Sequence, residues 1–134
     1  MISNGWITDA LAAAVGAMTI KAMLVDSGFS ATPDSTAVPT GDEISGTGYT
    51  AGGEDVTSLA ALTYDSATNR IKLTLSGPVN FGPIVASDVN AIVFYDDTSS
   101  VLLLADVFGS TDPDGSADFV YTPQAAGIMA VQVS

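Results

Sequence analysis

The chain contains no cysteine and no histidine. Those two absences remove the thiol nucleophile, the commonest general base and every metal site built on thiolate or imidazole. Only carboxylate chemistry remains. Asp96-Asp97 and Glu54-Asp55 are paired acids of the kind that glycoside cleavage uses. Neighbouring residues on a strand point to opposite faces, however, so neither pair can flank one bond. Both read as acidic turns in solvent. No catalytic residue, cofactor or metal ligand is expected, and without cysteine the redox compartment is left undetermined.

Basic residues are almost as scarce. Lys21, Arg70 and Lys72 stand against 15 acids, a net charge of −12. A phosphate backbone is held by clustered Lys and Arg, so nucleic acid is excluded as a direct partner, and an anionic membrane surface is disfavoured for the same reason. Nor is there an apolar run of the ~20 residues that a membrane helix needs. Residues 10 to 18 are apolar, but Asp9 precedes them and no basic residue does, so no signal peptide is read there. With one Trp and four Tyr, the flat aromatic platform of a carbohydrate-binding module has little to draw on. There is no internal repeat, low-complexity run or linker.

What is present is a hydrophobic, sparsely charged chain: 47% hydrophobic and 13% charged residues among 134, with a mean hydropathy of +0.39. At this length about two-thirds of the extended chain's surface can be buried, enough for a core without disulfides. The surface must then consist largely of Ser, Thr, Gly and Ala. That composition suits a protein packed among neighbours.

The densest local signal is the run from Asp42 to Val56, DEISGTGYTAGGEDV, which holds four of the chain's 13 glycines. If it is a strand, Gly46 and Gly48 share one face while Thr47 and Tyr49 point to the other. That bare face admits another backbone or an aromatic ring, and Gly52 and Gly53 supply residues able to take φ > 0. The reading is a strand ending in a tight turn, with Gly46, Gly48, Tyr49, Gly52 and Gly53 as a structural segment.

Before it, Ile7, Leu11, Val15 and Met18 recur at helical spacing, with Thr8 able to cap the helix and Gly16 to end it. A short Ala-rich helix is marginal in water. It must dock either on its own domain, with Trp6 plugging the core edge, or on another chain. Residues 1–18 are therefore read as an arm and residues 19–134 as one β-sandwich domain. TIKAMLVD (residues 19 to 26) is a strand with both faces apolar, hence central. The loop from Ser27 to Gly41 is long enough to be a contact surface. Candidate partner contacts are Trp6, Leu11, Val15, Pro33, Val38 and Pro39.

Further strands are read at 56–64, 70–77 (with Ile71, Leu73 and Leu75 alternating), 88–97, 101–109, 117–123 and 127–134. Pro78 and Pro83 confine the stretch between them to an edge or crossover. The sum is about eight short strands, an all-β sandwich of Ig-like or jelly-roll-like type. Two further patterns look like chemistry, and for the second a weak cation site is the alternative to a plain turn. Gly46-x-Gly48-x-x-x-Gly52 misses the dinucleotide spacing and is followed by no helix. The acids from Asp112 to Asp118 lack a calcium loop's spacing, and Pro113-Asp114-Gly115 reads as a plain hairpin turn.

The order IKAMLVDSGF, polar loop, DEISGTGYTAGG, LTYDSATNRIKL and AIVFYDD resembles a group of small virion proteins of tailed bacteriophages. There a strand of the type IKVMLL precedes an EVSGTGYTAGG-like segment, then TYD…TN…L and AVIYDD. The resemblance runs from Ile20 to about Asp97. Two departures stand out: Phe81 where many relatives have Trp, and PIVASDVN without the usual Arg, which removes one possible ion pair. The resemblance implies a small β-sandwich without catalytic role. It implies a capsid decoration (cement) protein on the virion surface, made in the host cytoplasm. Its partners would be the major capsid protein and copies of itself as a homo-oligomer, with no nucleic acid, membrane or small-molecule ligand. A tail, neck or baseplate component is the alternative within that class, and a carbohydrate-binding module lies outside it.

Overall fold

A computed structural model describes residues 4–30, 32, 34–56, 59–65, 67, 70–75, 77–123 and 129–132. Among the described residues the fold is all-β apart from one short helix. It forms two compact units: Met1–Met18 with Thr57–Pro78 and Thr122–Ser134, and Thr19–Val56 with Val79–Tyr121.

In the first unit, helix α1 (Asn4–Gly16) is followed much later by strands β3 (Leu59–Asp65), β4 (Arg70–Leu75) and β9 (Met129–Gln132). The strands form an antiparallel sheet in the order β3-β4-β9, and α1 lies against β3. The helix begins a turn before Thr8, which therefore sits inside it and is not its cap. It ends at Gly16, where the last turn tightens: the Ala17 amide is shared between the carbonyls of Ala13 and Ala14, and Met18 N–H bonds Val15 O at 3.1 Å. The alternation read over Ile71, Leu73 and Leu75 concerns side chains of which only Leu75, half-buried, is described.

The second unit is built on a four-stranded antiparallel sheet, β2-β1-β6-β7, from β2 (Glu54–Asp55), β1 (Ile20–Val25), β6 (Val89–Asp96) and β7 (Val101–Thr111). A two-stranded ribbon, β5 (Val79–Asn80) with β8 (Val120–Tyr121), completes it. β1 and β6 are central and apolar on both faces because both faces are covered. Register pairs Met23 with Val93 and Val25 with Ala91 on one face. That face carries Phe29, and Val38 packs against it, so the Ser27–Gly41 loop folds back as a lid on this core. On the other face Ala22 lies opposite Phe94, whose ring meets Tyr121 of β8 edge-on at 5.9 Å. Each fully buried Leu, Ile, Val or Phe in this sheet contributes roughly 1.5–3 kcal/mol. Val89, Ile92 and Val93 at 0% exposure lie at its centre.

The Asp112–Asp118 turn is not a plain hairpin. The strand after it, β8, pairs with β5 and not back onto β7. The turn instead touches a distant segment, with Asp114 bridging Val85 and Ala86 N–H bonding Pro113 O at 3.1 Å. A local turn signal is here overridden by a non-local pairing.

Candidate functional site: a glycine segment clamped by Glu43

The glycine run does not form a strand through Gly46 and Gly48. It makes single bridges instead, Glu43 with Val25 and Thr47 with Val85. The first sets Glu43 at the end of β1, where Ile44 N–H bonds Leu24 O at 3.1 Å and Asp26 N–H bonds Asp42 O at 2.9 Å. From there the Glu43 carboxylate reaches forward over the loop. Its Oε1 accepts the Tyr49 hydroxyl at 3.0 Å and the Gly52 amide at 2.6 Å. The Tyr49 oxygen in turn accepts Leu24 N–H at 3.2 Å, and Tyr95 of β6 donates its hydroxyl to Gly52 O at 2.7 Å. Gly53 N–H closes the turn on Thr50 O at 2.9 Å.

One carboxylate and two phenols thus tie the loop to both central strands. Burial is the main cause that raises the Tyr49 phenol above its ordinary value; the Leu24 amide opposes it and the Glu43 carboxylate adds to it. Both phenols stay protonated as donors. The Tyr95 phenol is raised as well, first by burial and then by Asp97.

The glycines are required by contact as well as by conformation. A Cβ on Gly46 would lie 2.2 Å from Val85 O, and one on Gly53 would lie 1.9 Å from Ala22 O in the middle of β1. Gly48, Gly52 and Gly53 all have positive φ, at 84°, 87° and 75°. The Tyr49 ring stacks on Phe81 at 6.3 Å, and Phe81 meets Phe119 at 6.2 Å. Phe81 is therefore a core ring at 4% exposure.

Two other carboxylates act in the same structural way. Asp96, read from sequence as a solvated turn acid, is buried. It accepts Thr19 N–H at 3.1 Å and the amides of Thr98 and Ser99 at 3.3 Å, together with the Ser99 hydroxyl. The Ser99 hydroxyl is the first cause holding its pKa below the ordinary carboxylate value. The reason for the difference is the β6–β7 turn, which needs an acceptor for its free amides. Asp97 does face solvent, and Lys21 lies 3.6 Å from it. Asp88, at φ 58°, accepts the Ser27 amide at 3.1 Å and the hydroxyls of Ser27 and Ser110, joining the loop after β1 to the end of β7. Its pKa is lowered by Ser110 first and Ser27 next.

Of the candidate partner contacts, Val38 and Pro39 are half-buried in the loop that covers the sheet, and Val15 is half-buried on α1. Pro33 and the side chains of Trp6 and Leu11 lie outside the described residues. An open cleft of about 400 Å³ runs beside the clamp between Val38, Glu43, Tyr95 and Asp97. Among the described residues no group of three or more acids, His or Cys is placed to hold a metal ion. The clamp was not named from sequence, although Glu43 lies six and nine residues before its two partners. In the same way Asp96 carries the legible turn pattern of an Asp followed two and three residues later by Thr and Ser. Comparisons with protein-family models, with curated proteins and with solved structures find no match to this chain.

Proposed function

We propose that this chain is a non-enzymatic structural protein of a tailed-phage virion, a decoration protein that binds and stabilises the head lattice and associates with its own copies. The observation that carries the reading is the clamp. The segment that most resembles the phage proteins, Glu43 to Gly53, is tied internally, to β1 and β6 through Glu43, Tyr49 and Gly52 and to Val85 through Thr47. Its acid and its phenol serve as structural ties. A glycan-binding reading finds less support, because Tyr49, Tyr95 and Tyr121 all spend their hydroxyls on internal hydrogen bonds.

With three basic residues, attachment must rely on apolar and main-chain contacts, so it should survive salt that shortens the Debye length to ~3 Å. The test mixes purified protein with decoration-free heads and, separately, with tails, and sediments each at low and high salt. Co-sedimentation with heads at both salts is expected. Pelleting only with tails makes it a tail component, and quenching of Trp6 fluorescence by sugars with no pelleting makes it a glycan binder.

A further inference from the structure

β7 is an edge strand of 11 residues with one charged side chain, Asp106. Its first residues are covered from outside, since Ala37 bridges Val101 and Leu102 N–H bonds Thr36 O at 2.8 Å. Its end is bulged: Ala91 pairs Val107 and Val89 pairs Thr111, so residues 108–110 bow out of the ladder around Gly109 at φ 93°. Between cover and bulge lie residues 103–107, whose outer edge meets no strand among the described residues. Its last residue, Val107, is 60% exposed, and Phe108 just beyond it 42%. An open, apolar, nearly uncharged edge is a template for strand addition.

We propose that residues 103–107 of β7 pair antiparallel with the same residues of a second copy, about a two-fold axis through Ala105, joining two four-stranded sheets into one. The charge distribution selects this occupant. Two copies each carrying −12 repel over most approaches, whereas this edge brings a single acid from each, and that acid is already engaged, since Asp106 Oδ2 accepts the Tyr121 hydroxyl at 2.7 Å. Antiparallel ladders match outward-facing backbone with outward-facing backbone, so a symmetric pair must turn about a residue and not between two. Ala105 is the middle of the open stretch. Leu104 then faces the partner's Asp106, Leu103 faces the partner's Val107, and the two acids stay about 7–8 Å apart as diagonal neighbours. The proposal deepens the self-association read above, but its test needs no phage particle and so fails or succeeds separately from head binding.

The absence of cysteine makes the test direct. The full chain is examined by sedimentation at about 0.1 mM, and single-cysteine variants Leu104→Cys, Ala105→Cys, Asp106→Cys and, as an exposed control, Val120→Cys are oxidised mildly. A dimer is expected for the unsubstituted chain. Ala105→Cys should form a disulfide-linked dimer about tenfold faster than the other three, whose Cα atoms cannot approach within bonding reach. Val107→Lys, at an exposed position, should weaken the dimer by about tenfold or more without loss of fold. A monomeric chain at that concentration, or cross-linking at Val120→Cys as fast as at Ala105→Cys, overturns the proposal.

Discussion

Three single glycine substitutions separate backbone strain from steric clash in this fold. Gly82 has φ 73° and open space around it, so Gly82→Ala meets conformational strain alone. Left-handed backbone costs a Cβ-bearing residue about 1–2 kcal/mol, offset by about 0.4–1 kcal/mol of lost freedom in the unfolded chain, for a net cost near 0.5–1 kcal/mol. Gly46 is the opposite case: it has no positive φ, but its Cβ would sit 2.2 Å from Val85 O and 2.9 Å from Ala86 Cβ. Gly46→Ala must push two backbones apart, at about 1–3 kcal/mol. Gly53 combines both, with φ 75° and a Cβ 1.9 Å from the carbonyl of Ala22. Ala22 is fully buried on central strand β1 and cannot yield. Gly53→Ala should therefore cost about 2–5 kcal/mol.

The assay is urea unfolding followed by far-ultraviolet circular dichroism, with Gly41→Ala as a control at a position with ordinary φ and nothing within 4 Å. With a slope of about 1–3 kcal/mol per M, Gly53→Ala should lower the midpoint by about 1–2 M and Gly41→Ala should leave it unchanged or raise it slightly. Equal midpoints for Gly53→Ala and Gly82→Ala would refute the close approach of the glycine segment to β1.

Tyr49→Phe should cost about 1–3 kcal/mol in the same assay, because it leaves the Leu24 amide without its acceptor, and an unchanged midpoint would contradict that tie. In an alkaline absorbance titration, Tyr49 and Tyr121, both raised chiefly by burial, should ionise only above the ordinary phenol range; both ionising within that range while the fold persists would contradict this. On the acid side, hydrogen bonds hold Asp88, Asp96 and Asp114 below the ordinary carboxylate value in the folded chain. The unfolded chain therefore takes up protons first, so their stabilisation is complete above about pH 4 and is lost as pH falls through the folded values. Melting temperature against pH should show that acid limb, and Asp88→Asn should make it shallower; an unchanged slope would remove Asp88 from the account. Calcium should not raise the melting temperature, since Asp114 already accepts Ser116 N–H at 2.9 Å in a local turn; a rise abolished by Asp114→Ala would show a cation site there.

The sequence by itself determined the class. Alternating and doubly apolar runs, punctuated by Gly and Pro, are enough for an all-β chain, and the two apolar faces of residues 20 to 25 are enough for a central strand. Gly16 likewise marks the end of the helix, because that signal is local. Tertiary structure decided which of many equivalent acids matter. Glu43 does not differ in kind from Asp42 or Glu54 along the chain, and becomes a clamp only because β1 and β6 bring Leu24 and Tyr95 to the loop it spans. It also decided that β8 leaves the Asp112–Asp118 turn for β5, since strand pairing is chosen by burial against distant partners such as Phe94 with Tyr121. Short-range patterns record backbone preference and the alternation of faces; hydrogen-bond partners 25 and 43 residues apart are set only when the core closes.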